Sequence, residues 1–564
     1  MKRQKTNITL TVTILIMTTL FSLSSCKKDV KIIDANENNS NNHNHAPFTK
    51  HDASLTPYYG PPLTPTALGN QKNNPYTLAN MELAVAEIAN LGFTSNNPIN
   101  VRVTHKYVKF TPQTYDELDI LEEDKNLLLY DYPLDYKIIE NGDYYRDPIA
   151  SDDQPTYYYA SVPASYSFNP QVSYTVLADL YIPEEDQTLI GNNLDQNLDY
   201  LDHLLDKAYE LTSNFDDVLG LNKTLASRYH PAGQVRVFDT RLSAFVGVQG
   251  AKACARRWFT TKTAMTGSNG SYSMSGTFRR PCHQTILFKE FTNKFVVKNN
   301  WLSKAKYTQS KTRSNFNANL TNGMYHAFAA NIFRAAYRVC WKSSVSTGML
   351  LPQQLSNQNV LIAKNSNNAG PGVNYVIYPY IKISRYDGNN DEYLSDEIFS
   401  TTAHEIAHSL HVSNMNTAIQ YAQVSSMIQE SFCVGFEWIV TRGEYNDRGI
   451  PDYADEAYFP PSGTPSMPAP QYPNSYAYQY WNASEAKYTS LFINLIDNFD
   501  EFNQPFAFRG NGTVEDQVAG YTLNDIMDNV LKHSYGITSL ATELKANKPS
   551  GVTDAQIDLL LSHY

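Results

Sequence analysis

The segment His404-Glu405-Ile406-Ala407-His408, HEIAH in one-letter code, places two imidazoles and a carboxylate within one short stretch. At about 3.6 residues per helical turn, residues four apart lie on one face, so a helix brings His404 and His408 to the same metal ion. Glu405 is turned about 100° away, toward a water that the metal would bind. The pattern therefore predicts a tetrahedral zinc site with Glu405 as the general base.

The residues around HEIAH favour a helix from about 395 to 412. Ser395 and Asp396 are candidate caps, and Glu397 adds negative charge where the helix dipole favours it. Apolar residues make up the body of the segment: Ile398, Phe399, Ala403, Ile406, Ala407 and Leu410. We therefore expect a helix that is largely buried.

Zinc needs a third protein ligand, and the residues after His408 limit the choice. The metzincin pattern requires Gly three residues and His six residues after the second His, but this chain has His411 and Asn414 there. His411 shares the face of His404 and His408, yet three ligands on one straight helix cannot converge on one ion. We interpret His411 as a core or supporting histidine.

A second helix is expected over 426–440, where Glu430 and Glu437 stand alone in an apolar run. Glu430 lies 22 residues after His408, which is enough for a short connection and a return helix. Here the chain resembles the gluzincin metallopeptidases, in which a Glu on a second helix completes a His2Glu zinc set. The resemblance implies that His404, His408 and Glu430 are the ligands, with Glu437 as the rival third ligand.

The chain departs from the thermolysin-like branch of that family at Val434, where that branch has an acid that steadies a zinc histidine. The histidines here must therefore be supported differently. Tyr488, Tyr521 and His533 are the candidate donors for the oxyanion of an endopeptidase reaction. A strand predicted at 381–384 either binds the substrate backbone by strand addition or is purely structural.

Residues 1–25 have the pattern of a bacterial lipoprotein signal peptide. An apolar run over 8–23 ends in Leu23-Ser24-Ser25-Cys26, which forms a lipobox and predicts cleavage before a lipidated Cys26. An asparagine-rich flexible tether is expected over 26–55. Because Lys27-Lys28-Asp29 resembles an export signal of surface lipoproteins in some Gram-negative bacteria, we expect a surface-exposed, membrane-anchored protein of the outer membrane, with the periplasmic face as the alternative.

The rest of the chain predicts a multidomain α+β protein. A mixed N-terminal α+β domain is expected over 56–227, a small β-sandwich over 228–300, and an α-rich, zincin-like metallopeptidase domain over 301–564. The sandwich resembles transthyretin-like or carboxypeptidase-regulatory-like modules through its short strands and the turn Gly267-Ser268-Asn269-Gly270. Helices are expected at about 76–91, 114–124, 194–211 and 322–341, and strands at 99–110, 235–239, 246–250, 252–259, 271–275 and 291–297.

Charge and cysteine content limit the partners. The 45 basic and 56 acidic residues give a net charge of -11 at pH 7, which argues against binding to nucleic acid. Cys254 and Cys282 are candidates for one disulfide in an oxidising compartment, whereas Cys433 is expected only to pack within its helix.

These features predict a zinc metallopeptidase, anchored to the membrane through Cys26, that hydrolyses peptide bonds of extracellular proteins or peptides. Glu405 would assist the attack of zinc-bound water. The alternative is a surface lipoprotein that binds host or dietary polymer and carries a structural or inactive zinc site. A closed fourth coordination position would mark that alternative.

Overall fold

A computed structural model describes residues 63–93, 99–151, 154–186, 194–218, 227–299, 303–342, 359–364, 372–374, 380–386, 391–415, 418–450, 489, 491–497 and 517–564. Within these ranges the chain is mixed α/β, with several sheets and eleven α-helices. The predicted signal peptide, Cys26 and the tether lie outside the described residues. No helix in the described part combines the length and apolar character that crossing a bilayer requires.

The chain folds as two compact units. The first contains Gly60–Tyr337 and Gln354–Ala363, and the second contains Arg338–Gln353 and Lys364–Tyr564, which includes HEIAH. The domain boundaries predicted at 227 and 300 stay predictions.

The first unit begins with a small three-stranded sheet and two helices that share one core. Its first elements are β1 (Ala67–Gln71), α1 (Leu78–Asn90), β2 (His105–Phe110), α2 (Tyr115–Glu123), β3 (Tyr136–Glu140), β4 (Tyr158–Pro163), β5 (Tyr174–Leu180) and α3 (Leu194–Leu211). The antiparallel sheet has the order β4-β2-β5. Buried residues of α1 and α3, including Met81, Ala84, Leu204 and Tyr209, join one hydrophobic cluster. The helices predicted at 76–91, 114–124 and 194–211 are confirmed, and the strand predicted at 99–110 is shorter.

Two further sheets follow in the first unit. Their strands are β6 (Ala232–Asp239), β7 (Ala244–Gly247), β8 (Ala251–Arg257), β9 (Thr260–Met265), β10 (Ser271–Ser273), β11 (Cys282–Glu290), β12 (Phe295–Lys298), β13 (Lys306–Thr312), β14 (Phe316–Leu320) and β15 (Asn359–Lys364). One sheet has the order β10-β6-β14, with β7 on β6. In the other, β11 pairs with β8, β12 and β13, β8 pairs with β9, and β12 pairs in parallel with β15. Both sheets therefore draw strands from beyond residue 300, and β9, β11, β13 and β14 were not predicted.

The suggested disulfide between Cys254 and Cys282 is wrong, because both cysteines are free and buried. Cys254 on β8 lies opposite Thr285 on the antiparallel strand β11. Cys282 is three residues before Thr285, so its side chain points to the other face of the sheet. The register alone keeps the two sulfur atoms apart.

The second unit is mainly helical. Its elements are the antiparallel strands β16 (Gly372–Asn374) and β17 (Tyr380–Ser384), then α5 (Ser395–Asn414), α6 (Ala418–Tyr421), α7 (Ser426–Asn446), α8 (Leu491–Ile496), α9 (Leu523–Asp525), α10 (Ile537–Ala546) and α11 (Asp554–Leu561). α4 (Tyr325–Trp341) begins in the first unit. The helices predicted around HEIAH and over 426–440 are confirmed.

The helix α5 begins at the predicted Ser395, but its capping residue differs from the prediction. Leu394 is the residue at the N-cap, and its backbone N–H donates to Glu397 Oε2 at 2.7 Å. Ser395 and Asp396 are therefore the first residues of the helix and not its caps. Because Ser395 and every residue from Ile398 to Val412 are buried, the helix is surrounded by protein along almost its whole length.

Candidate metal centre

The helices α5 and α7 pack side by side and run in opposite directions. The ring of Phe399, early on α5, lies 6.5 Å from that of Tyr445, late on α7. The ring of His411, late on α5, lies 5.3 Å from that of Phe432, early on α7. An antiparallel pair with these contacts sets HEIAH against the segment 430–437.

A close contact between α7 and α8 determines which face of α7 packs against α5. A Cβ atom at Gly435 would lie only 2.8 Å from Phe492 Cβ on α8, so glycine allows the two helices to approach. The hydroxyls of Ser431 and Thr489 are 2.7 Å apart on the same side. Glu430 and Glu437 lie on a different face of α7, the one turned toward α5.

One carboxylate oxygen links the two histidines of HEIAH. Glu430 Oε2 lies 3.3 Å from His404 Nε2 and 3.2 Å from His408 Nε2. Glu430 is 6% exposed, His408 7% and His404 6%, so all three residues are buried but keep a small exposed surface. Burial raises the pKa of the Glu430 carboxyl, but His408 and His404 outweigh this effect and hold that pKa well below its ordinary value. Two imidazole nitrogens and one carboxylate oxygen thus converge on one point.

Glu437 contacts the other side of His404. Its Oε2 atom lies 3.0 Å from His404 Nδ1, and its side chain is 1% exposed. In the tautomer that leaves His404 Nε2 available to a metal, the Nδ1–H donates to this carboxylate. Glu437 therefore contacts the Nδ1 side of His404, whereas Glu430 Oε2 lies beside the Nε2 atoms of both histidines.

Tyr421 contacts His408 in the same way, and the sequence analysis did not predict this contact. The Tyr421 hydroxyl lies 2.7 Å from His408 Nδ1 and can accept a hydrogen bond from it. Tyr421 is the last residue of the short helix α6 between α5 and α7. The position of Tyr421 depends on the conformation of the connection between α5 and α7. The spacing of residues along the sequence does not predict that conformation.

Glu405 is isolated beside the histidines. It is 1% exposed, and neither of its carboxylate oxygens has a hydrogen-bond partner among the described residues. Burial raises the pKa of this carboxyl above its ordinary value, against the opposing effects of His408 and His404. A buried carboxylate without hydrogen-bond partners is costly, and this cost favours a chemical role for Glu405.

Cys433 belongs to the same cluster, although the sequence suggested only a packing role. One ligand atom each of His404, His408 and Cys433 lies within 4.8 Å of the others, so these three residues could hold a metal ion. Cys433 is three residues after Glu430, about one turn along α7. Burial raises the pKa of its thiol, and His408 opposes that rise. Imidazole and thiolate are both zinc ligands.

The remaining candidates lie in other settings. His411 is fully buried, its ring nitrogens have no partner within the described ranges, and burial lowers its pKa to about 3, as expected for a neutral core histidine. Tyr521 is buried and donates its hydroxyl hydrogen to the carbonyl of Leu544 at 2.6 Å, so it is committed to the core. His533 is exposed, and Tyr488 lies outside the described residues.

No family model matches this chain, and no curated protein or solved structure matches it either. The geometry of α5 and α7 is therefore the foundation for a functional proposal.

Proposed function

We propose that this chain is a zinc-dependent metallopeptidase of the gluzincin type, anchored to the bacterial outer membrane through a lipid on Cys26. Its substrates in this proposal are extracellular proteins or peptides. The observation that carries the proposal is the position of Glu430 Oε2, within 3.3 Å of the Nε2 atoms of both HEIAH histidines. In this proposal the strands within 228–300 belong to a carboxypeptidase-regulatory-like sandwich, and the catalytic site belongs to the second unit, which contains HEIAH.

The donor set supports zinc as the metal. His404, His408 and Glu430 supply two nitrogens and one oxygen, the His2Glu set of catalytic zinc sites. The partners of the two Nδ1 atoms, Glu437 and Tyr421, hold the rings in the tautomer that a metal at Nε2 needs. Such a supported donor set suits zinc better than magnesium or calcium, which prefer oxygen ligands.

Zinc bound there would supply a Lewis acid that polarises a peptide carbonyl and makes water more acidic. Glu405 is one residue after His404 and has both carboxylate oxygens unpaired within the described part of the chain. In the proposed reaction it accepts a proton from the attacking water and delivers a proton to the leaving amine. Burial favours this exchange, because it raises the pKa of Glu405 and so makes its carboxylate a stronger base.

The direct experiment measures zinc content and proteolysis in the same preparations. We expect wild type and Glu405→Gln to bind one equivalent of zinc, with cleavage of unfolded protein only by wild type. Glu87→Gln, a change to an exposed carboxylate on α1, is the matched control and should retain both properties. Zinc-free wild type after handling without chelators, or full activity in Glu405→Gln, would contradict the proposal.

Cys433 favours a second candidate function. If its thiolate joined His404, His408 and Glu430, zinc would have four protein ligands and no open position. The site would then be structural, and the protein would be a surface lipoprotein that binds polymer. A closed tetrahedral site of this kind adds to folding stability without hydrolysing peptides.

Cys433→Ala separates the two candidates. In a peptidase with a His2Glu site, this variant keeps one equivalent of zinc and its proteolytic activity. In a closed structural site, it lowers zinc affinity steeply and wild type shows no proteolysis. X-ray absorption spectroscopy of the zinc protein gives a second readout, because a Zn–S distance near ~2.3 Å appears only when the thiolate is a ligand.

A further inference from the structure

The first unit contains a cavity far along the chain from HEIAH. It holds about 680 Å³ of empty space, counting its open mouth. Lys304, Lys306 and Thr308 contribute to the lining from β13 and the residues just before it. Because alternate residues of a strand share one face, all three side chains project the same way. Thr285 and Leu287, their neighbours on β11, continue this polar and apolar surface.

The rest of the lining is supplied mainly by the chain between residues 128 and 142. Leu128, Leu129 and Ile138 give it apolar side chains, and Asn141 adds an amide. The lining also includes Asp131 and several tyrosine, serine and threonine side chains, so the cavity offers both apolar and polar contacts to a small molecule.

Two lysines and one acid line the cavity. Lys306 Nζ is neutralised by Asp131, whose two carboxylate oxygens lie 2.9 Å and 3.0 Å away. Lys304 has only a longer pairing, 3.4 Å from Glu122 Oε1, among the described residues. Glu122 Oε2 is already bound to Lys298 at 2.7 Å. Glu122 therefore contacts both ammonium groups, Asp119 adds a second negative charge near Lys298, and Lys304 keeps donor capacity for another anion.

We propose that this cavity binds a small carboxylate that carries an apolar group, with Lys304 as the anchor of the carboxylate. The apolar part packs on Leu128, Leu129 and Ile138, and the carboxylate accepts a hydrogen bond from the ammonium group of Lys304. A cation would meet Lys304 and Lys306 and is disfavoured, and a neutral alcohol would offer Lys304 no charged acceptor. The proposal does not depend on the metal centre.

The test is isothermal titration calorimetry on the full chain with octanoate, octan-1-ol and acetate. We expect octanoate to bind at least about tenfold more tightly than octan-1-ol or acetate, since only octanoate uses both parts of the cavity. Lys304→Met should weaken octanoate about tenfold and leave octan-1-ol unchanged. Lys532→Met removes an exposed lysine of the second unit and should bind octanoate like wild type.

A second variant keeps the test valid if Lys304→Met folds poorly. Ile138→Trp narrows the cavity at a partly exposed strand residue and should abolish binding without changing the charge. Equal affinity for octanoate and octan-1-ol, unchanged octanoate affinity in both variants, or no heat with octanoate in wild type would each overturn the proposal. N-acetyl-leucyl-leucine identifies the source of the carboxylate: if it binds more tightly than octanoate the source is a peptide C-terminus, otherwise an acyl chain.

Discussion

Changing Glu437 to glutamine distinguishes a residue that holds a ligand from a residue that is one. Glu437 Oε2 lies 3.0 Å from His404 Nδ1, whereas Glu430 Oε2 lies near the Nε2 atoms of both histidines. Glutamine keeps the size of Glu437 and a neutral acceptor oxygen, but it removes the charge. The variant therefore weakens the support of His404 without removing a zinc ligand.

The size of the effect follows from the hydrogen bond that is weakened. A hydrogen bond to a charged group contributes about 1.5–3 kcal/mol, roughly twice the value of a neutral one. Since Glu437 is buried, solvent screens this bond little, and glutamine should cost about 1–1.5 kcal/mol of zinc affinity. That corresponds to about a tenfold increase in the zinc Kd, at the lower end of the range for residues that orient zinc histidines.

The assay is competition for zinc against a chelator of known affinity, with wild type, Glu437→Gln, Glu430→Gln and the control Glu87→Gln. We expect the zinc Kd to rise about tenfold in Glu437→Gln, to rise far more in Glu430→Gln, and to stay unchanged in the control. If Glu437→Gln lost more zinc affinity than Glu430→Gln, Glu437 would be the ligand and the assignment from the two distances would be refuted.

Three further changes test other contacts. Tyr421→Phe removes the partner of His408 Nδ1 and should raise the zinc Kd about tenfold with unchanged thermal stability of the metal-free protein; an unchanged Kd would show that the contact is incidental. Gly435→Ala places a Cβ 2.8 Å from α8 and should destabilise the second unit by about 1–3 kcal/mol in denaturant unfolding, whereas equal stability would show that the helices separate freely. Burial raises the pKa of Glu122, but Lys298 and neighbouring lysines lower it to about 2. Glu122→Gln should therefore lower the free energy of unfolding by about 3 kcal/mol at pH 7. This difference from wild type should shrink as the pH falls from 4.5 toward 2, and a difference that grew with acidity would contradict the assignment.

The helices of the site were predictable because their signals are local. HEIAH sits in an apolar segment that ends within two residues of the predicted position, and α7 begins at the predicted Ser426. The helices of the N-terminal part, such as α3, were also located from their 3.6-residue periodicity. Local pattern thus identified most helices without any knowledge of their packing.

Several strands were missed because their patterns are weak. β13 has the sequence KYTQSKT, which is polar on both faces and lacks the alternation that marks a half-buried strand. β14 alternates cleanly but has only five residues, and β9 is mostly polar. β13 and β14 pair with strands that are distant in sequence, so hydrogen bonding to β11 and β6 is what defines them, whereas β9 pairs with its neighbour β8.

The sequence proposed both acids of the site but could not separate their positions. Glu430 and Glu437 share one face of α7, and only the antiparallel packing shows which nitrogen atom each one meets. Tyr421 and Cys433 escaped notice because their approach to the histidines depends on a short connection and on the rotation of α7.

Buried cysteines in both units can report local unfolding of the elements that contain them. The four described cysteines are all buried thiols outside disulfides, with Cys254 and Cys282 in the sheets of the first unit, Cys340 on α4 and Cys433 on α7. A thiol reagent can modify each one only after its element opens locally, because a buried thiol is shielded from the reagent. Mass spectrometry of timed alkylation can therefore measure the opening of four regions in one sample, without an added label or a mutation.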